Sequence, residues 1–217
     1  MIERFEDLSI KKYRELIELE RDGDNDTEYG INILSILSDM TQDELLDMPL
    51  DDFSSLMAKT KFLYGKLEKK DYKSLGKELD INGRKYRFIR SARDLTAAQY
   101  IDYKTYTSKD DFLSMLPYIL TVFLIPDGHK YNNGYDIVEA AKEIDEHMDI
   151  LTALAISDFF LWQSRLSILS SVTCLKLQME RALRKTKDPT VKEQIATCME
   201  QMESLSDLLK HSDGYMP

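Results

Sequence analysis

KELDINGRKYRF, residues 77 to 88, is the one stretch of the chain that reads clearly as β structure. Asn82-Gly83 is the preferred two-residue turn of a β-hairpin, because both central positions of that turn need positive φ. Pairing outward from it sets Ile81 opposite Arg84 and Leu79 opposite Tyr86, with Phe88 continuing the same face. A lone two-stranded hairpin is marginal in water. The face of Leu79, Ile81, Tyr86 and Phe88 is therefore expected to lie on a layer of helices.

Everything around this stretch has the helical period. On its N-terminal side, LSIKKYRELIELE (8–20) places apolar groups at Leu8, Tyr13, Leu16, Ile17 and Leu19, and YGINILSILSDM gives a second short helix. Thr41 opens a further helix with Glu44 three residues on, the spacing of a capping box. Pro49 interrupts the chain before a helix carrying Phe53, Leu56, Met57, Phe62 and Leu63. On the C-terminal side come LTAAQYIDYKTY and the very apolar DDFLSMLPYILTVFLI, in which Pro117 kinks or restarts the helix. A Gly/Asn-rich loop, IPDGHKYNNGYD, then leads to a helix capped by Asp136.

The last third repeats one pattern twice. Ile168, Val172, Leu175, Met179 and Ala182 step by four and three, and so do Val191, Ile195, Cys198, Met202, Leu205 and Leu209 beyond the turn KTKDPT. Two such stripes predict an antiparallel helical hairpin. The expected fold is mostly α with one β-hairpin: a helical domain plus a C-terminal helical hairpin. Three regions are expected, an acidic helical one over 1–75, the β-hairpin with helices over 76–148, and the long helical hairpin over 149–217.

The totals suit this reading. The chain has 217 residues, 43% hydrophobic and 31% charged, with eight Gly and five Pro. That composition supports a real core and points to helix rather than disorder. No apolar run reaches the roughly 18 residues of a membrane span. MIERFEDLSIKKY lacks the apolar centre of a signal peptide, so an intracellular soluble protein is expected. The net charge of −10 is unevenly spread. Residues 1–56 carry 16 acids against 5 bases, and residues 57–109 carry 6 acids against 14 bases. Such asymmetry implies internal attraction or two partner surfaces of opposite sign.

Chemistry-bearing motifs are scarce. RDGDNDTEYGINI (21–33) alternates Asp22, Asp24 and Asp26 like the start of a calcium loop. Such a loop needs Gly at position 6 and a bidentate Glu at position 12. Counting from Asp22 gives Thr27 and Ile33, and counting from Asp24 gives Tyr29 and Ser35. The stretch reads instead as a polar turn, with Asp26 or Thr27 capping the next helix. No phosphate-binding, dinucleotide, zinc-protease or serine-hydrolase motif is present in the sequence. Cys174 and Cys198 lie far apart without a CxxC, against a disulfide framework or a zinc site. Standing about equally far from the turn, they are expected to face each other in the core. Asp158 and Arg165, seven apart on one helix face, fit a buried ion pair or a subunit contact better than catalysis. Glu139, Glu143 and Glu146, with Asp145 beside them, are expected to form a solvated face, since no histidine joins them to hold a metal. No catalytic residue, cofactor or metal is expected.

The best binding candidates are Arg84, Lys85, Arg87 and Arg90 of the β-hairpin, together with Tyr131 and Tyr135 of the loop. Basic groups interleaved with Tyr86 and Phe88 can contact phosphates and stack bases. The acidic overall charge opposes this. The same residues can equally form a protein contact.

ELDINGRKYRF, DLTAAQYIDYKTY, LPYILTVFLIPDGHKYNNGYDIVEAAKEIDEHM and DFFLWQSRL together resemble small acidic proteins of tailed phages. They are most similar to virion-module proteins of crAss-like phages infecting relatives of Bacteroides. More loosely, the form I-N-G-x-x-Y followed by helices is similar to phage tail assembly chaperones. The resemblance covers roughly residues 76–165 and is one of hydrophobicity and turns, bringing no catalytic residues with it. It implies a non-enzymatic morphogenesis protein that acts by protein–protein contact in the host cytoplasm. Other phage structural proteins, or a second copy of this chain, would be its partners, with no nucleic acid or membrane among them. The alternatives are a structural or ejected cargo component of the portal, neck or tail, and a nucleic-acid-binding regulator that uses the basic β-hairpin.

Overall fold

The computed structural model describes residues 1–19, 26–68, 70–131, 133–186 and 188–211. The protein is mostly α with a small antiparallel sheet. It forms two compact units, residues 1–159 and 160–217. The acidic start of the chain packs into the same unit as the β-hairpin, and the division falls inside a helix at residue 160 rather than at 149.

In the first unit, helix α1 (Ile10–Glu18) opens on Ser9, whose hydroxyl accepts from the Lys12 N–H. Helix α2 spans Asp26–Ser38. Asp26 and Thr27, expected as its cap, lie inside its first turn, and the acidic run before them falls outside the described residues. Helix α3 (Gln42–Leu46) has the expected capping box between Thr41 and Glu44. The hydrogen bonds that Thr41 donates hold the Glu44 carboxyl below its usual range. Helix α4 (Leu50–Lys59) starts at Pro49 and lays Phe53, Leu56 and Met57 against Ile31, Leu34 and Leu45. This small cluster is what the spacing of apolar residues in the acidic third encodes.

Strands β1 (Glu78–Ile81) and β2 (Arg84–Phe88) pair in the expected register, Ile81 with Arg84 and Leu79 with Tyr86. Asn82 and Gly83 have φ of 52° and 77°, and the Asp80 carboxylate accepts the Gly83 N–H at 2.8 Å. Helix α5 (Ala97–Thr107) carries a second capping box, Thr96 with Gln99. The buried Gln99 amide also donates to the Val122 carbonyl at 2.6 Å. Helix α6 (Phe112–Phe123) runs unbroken through Pro117.

A third strand was not legible in the sequence. Leu124–Pro126, read there as the end of an apolar helix, is strand β3, antiparallel to β2. All three residues are buried, and buried backbone groups need partners. Pairing to β2 supplies them, and Asp127 N–H to Lys85 O at 2.9 Å extends the ladder. Pro126 has no N–H to donate, which suits its place on an edge strand. The extra strand also takes the β-hairpin past the marginal two-stranded state.

Helix α7 (Ile137–His147) is capped by Asp136 as expected. Its end is tied to the start of α1: Ile10 N–H donates to Met148 O at 3.2 Å, and Ile150 N–H to Leu8 O at 2.8 Å. Lys70 reaches the same junction, donating to Asp149 at 2.8 Å and to the Thr152 hydroxyl at 2.9 Å. Arg14 of α1 makes two parallel hydrogen bonds to Asp145 of α7, at 2.7 and 3.1 Å. The two side chains are only 19% and 16% exposed.

Helix α8 is a single run, Ile150–Lys185, followed by α9 (Pro189–His211). Beyond residue 160 the two form the expected helical hairpin, but with a different seam. On α8 beyond residue 160 the half-buried positions among the described side chains are Leu161, Gln163, Leu169, Val172, Lys176, Met179, Glu180 and Leu183, and Thr186 just past its end is half-buried too. On α9 they are Ile195, Met199 and Met202. Leu175 and Ala182, expected in the same stripe as Val172 and Met179, are exposed. The apolar face of each helix is broader than one neighbouring helix covers, so one edge of it is left outside. Cys174 and Cys198 are both exposed, contrary to the expected core placement. Cys174 stands two residues past Val172, about 200° round the helix from the seam.

Removing Arg14 alone leaves Asp145 a poorly solvated charge, and Arg14→Met is expected to cost about 3 kcal/mol. That is a fall of roughly 6 to 12 °C in Tm for a chain of this size. Adding Asp145→Leu to Arg14→Met should recover part of the loss, because no charge is then stranded. Thermal melts of the single and double variants check this, and equal or additive losses would contradict it.

Candidate functional site

The β-hairpin and the loop after β3 are brought side by side by the sheet. β2 is the central strand, and its partner β3 runs directly into the loop that carries Tyr131 and Tyr135. The alternation of β2 sorts its residues into two faces. Arg84, Tyr86 and Phe88 point to the helical layer, with Tyr86 and Phe88 buried, while Lys85 and Arg87 are exposed on the outer face.

On the inner face the Tyr86 hydroxyl donates to Glu143 of α7, and Arg84 donates to the same carboxylate oxygen at 3.1 Å. Burial first, and then the hydrogen bond to Glu143, pushes the Tyr86 hydroxyl well above its ordinary range. The guanidinium of Arg84 also lies 5.7 Å from the centre of the Tyr86 ring. This group joins the β-hairpin to α7. Neither aromatic is available to stack on a base.

On the outer face, the register sets Asp80 opposite Lys85 and Glu78 opposite Arg87. Opposite charges facing across a strand pair attract and neutralise each other's field. The basic stripe visible in the sequence is therefore balanced on its own face by acids of β1. Arg90 turns away from that face: it donates to the carbonyls of Tyr72 and Lys73 at 3.5 and 3.4 Å and lies 6.0 Å from the Phe88 ring.

The loop tyrosines also point inward. The Tyr131 hydroxyl donates to Asp102 of α5 at 2.8 Å. Burial and that bond raise its pKa well above the ordinary range. The Tyr135 hydroxyl is buried without a hydrogen-bond partner, and burial, with a smaller effect of Tyr106, pushes it up to about 12. Its ring meets His129 edge-on at 6.0 Å. What the described part of the loop presents to solvent is Asp127, Gly128, Lys130, Asn133, Gly134 and Asp136.

The carboxylates of α7, expected as a solvated face, are structural. Glu143 holds β2, Asp145 holds Arg14, and Glu146 lies 3.8 Å from Lys11 of α1, leaving Glu139 exposed. The spacing of acids along the helix was legible, but nothing in it named their partners 57 to 135 residues away. Asp158 is half-buried, whereas the Arg165 side chain lies outside the described residues. Among the described residues no group of three or more His, Cys, Asp or Glu is placed to hold a metal ion. None of the described helices is long and apolar enough to cross a membrane. A groove of about 650 Å³ between α1, α2 and α7 is lined by the ion pair Lys12–Asp39 and by Lys11, Glu146 and His147, with charges of both signs. Comparison with known proteins finds no family model, curated protein or solved structure that matches the chain.

The raised tyrosines give the stability a sign in alkali. Their folded forms keep the proton more tightly than the unfolded chain, whose tyrosines release it near the ordinary value of 10. Stability from these groups is fully present below that value and is lost as pH rises through the folded pKa values. The Tm is expected to fall progressively above about pH 10. Tyr131→Phe should make that fall less steep, and an unchanged slope in the variant would contradict the assignment.

Proposed function

We propose that this chain is a non-enzymatic morphogenesis protein of a tailed phage that works by protein–protein contact, in the manner of a tail or neck assembly chaperone. The observation that carries the contact reading is in the helical hairpin. From Leu161 onward no described side chain is buried, yet the two helices keep apolar residues at regular spacing. Two helices alone bury one seam each, so the remaining apolar surface is suited to another chain. The phage assignment rests on the resemblance of residues 76–165. The first unit supports a scaffolding role, because its polar groups are engaged in holding the fold: Arg84 and Tyr86 on Glu143, Tyr131 on Asp102, Lys70 on Asp149.

The nucleic-acid reading loses its physical basis in the β-hairpin, since the aromatics are buried and Lys85 and Arg87 face acids of β1. The unmodified protein is expected to show no salt-sensitive binding to single- or double-stranded nucleic acid. Binding that disappears on changing Lys85 and Arg87 to Glu would overturn this expectation.

Quantitative mass spectrometry of purified particles, set beside infected-cell extract, tests the assembly role. An assembly factor is abundant in the cell and absent from the particle. A fixed copy number in particles would replace the chaperone with a virion component of the portal, neck or tail. Absence from phage-infected cells altogether would remove the phage reading.

A further inference from the structure

The two seams of the helical hairpin share a geometry that decides what lies beside them. On α8, half-buried Leu169, Val172, Lys176, Met179 and Leu183 recur at alternating steps of three and four, the heptad spacing of a coiled coil, with half-buried Glu180 beside them. One flank of that seam on α8 is Ser171, Leu175, Gln178 and Ala182, all exposed. The matching flank on α9 is Val191, Gln194, Cys198 and Gln201, also all exposed. In an antiparallel pair, flanks with the same offset from the seam fall on the same side. The eight residues therefore make one face across both helices with no charge among them, in a chain that is 31% charged, and the exposed Lys185 continues the stripe only at the turn end. Other charged side chains of this hairpin lie elsewhere: Lys176 and Glu203 pair with each other, and Arg184, Lys192 and Glu193 gather near the turn around the other flank.

We infer that this uncharged face is covered by a second copy of the same chain, giving a two-fold four-helix bundle. This deepens the contact reading of the hairpin and rests on it, but it is independent of which assembly the protein serves. Three features favour a like partner. First, a hairpin of two antiparallel helices is nearly symmetric about an axis through this face, so a second copy turned through 180° meets it with the same surface. Second, the helices have opposite charge. Between Phe160 and Lys185 there are five Lys or Arg and one Glu, while α9 has two Lys against four Asp or Glu. With the two-fold axis running along the helices, the basic helix of one copy lies beside the acidic helix of the other, and complementary potentials of this kind fix register. Third, the size is right. The 23 residues of α9 extend about 35 Å. Two helices packed at the usual 8–10 Å separation give a face of about 700 Å² per copy, hence about 1,400 Å² in total, within the range of stable specific interfaces.

Sedimentation velocity of the full chain across the micromolar range tests this. The 25.3 kDa monomer is expected to give way to a species of twice that mass as concentration rises. Leu175→Glu puts a charge at the centre of the face and should weaken the dimer at least tenfold. Leu177→Glu, at a residue equally exposed (50%) but about 120° round the helix from the face, should leave the dimer intact. In a Cys174→Ser background, Cys198 should react with a thiol probe in the dilute monomer and slow markedly in the dimer. A wild-type chain that stays monomeric overturns the proposal, as does a dimer broken by Leu177→Glu and not by Leu175→Glu. Either result leaves the particle mass spectrometry free to support the assembly role with an unlike partner.

Discussion

Arg14 joins three helices with one side chain. It leaves α1, makes a paired contact with Asp145 on α7 and donates to the Leu113 carbonyl near the start of α6 at 3.4 Å. Loss of water around two charges is offset only where geometry is good and the remaining hydrogen bonds are satisfied. Here the planar guanidinium matches the carboxylate and keeps a further donor for the backbone. The hydrogen bond to Asp145 raises the Arg14 pKa above its ordinary value, so the guanidinium keeps its charge in the contact. The backbone bonds between Leu8–Ile10 and Met148–Ile150 lie a turn away, and they place the start of α8. Much of the first unit is thus referred to the α1–α7 contact.

The same helix accounts for why a sequence with acidic and basic blocks makes a protein with little charge asymmetry on its candidate surface. α7 sends Glu143 to the β-hairpin and Asp145 and Glu146 to α1. Lys59 from the basic middle pairs with Glu3 from the acidic start, and the Lys59 ammonium holds the Glu3 carboxyl below its usual range. The blocks attract each other within the chain. Apolar surface is left over in both units: Ile17, Leu46, Leu50, Tyr64, Tyr100, Ile101 and Val138 are exposed in the first, and Leu175, Leu177 and Val191 in the helical hairpin. What sets the hairpin apart is that none of its described side chains from Leu161 on is buried, and that is what points to contact between proteins.

Local chemistry was legible where a few neighbouring residues suffice. Asn82-Gly83 fixed the register of the β-hairpin, and Thr41, Thr96 and Asp136 mark the helix starts they cap. Strand β3 was hidden because Leu124-Ile125-Pro126 is apolar on both faces, and a short buried run has no period to distinguish strand from helix. The roles of Glu143 and Asp102 were hidden for a different reason: a carboxylate on a helix face has the same spacing whether its partner is water or a tyrosine far along the chain. One signal was available and overlooked. With the turn at Asn82-Gly83, counting outward sets Asp80 against Lys85 and Glu78 against Arg87, so the neutralised outer face follows from the sequence alone. In the helical hairpin the stripes predicted the helices but not which members would be inside, since steps of three and four describe the seam and its flank equally well.

Helix α8 belongs to both units, and this gives their folding a direction. Starting a helix is costly because several residues must be fixed before the first hydrogen bond is gained, whereas lengthening one is nearly free. The first turns of α8 are held by buried Ile150, Leu151, Ala153 and Ile156, and by Asp149, which accepts from the Thr152 N–H. The distal half of the helix therefore only has to be extended from a nucleus the first unit already supplies. It can persist with no buried side chain of its own, and α9 then has a template to fold back upon. The dependence does not run the other way, since no residue beyond 160 is needed to begin the helix.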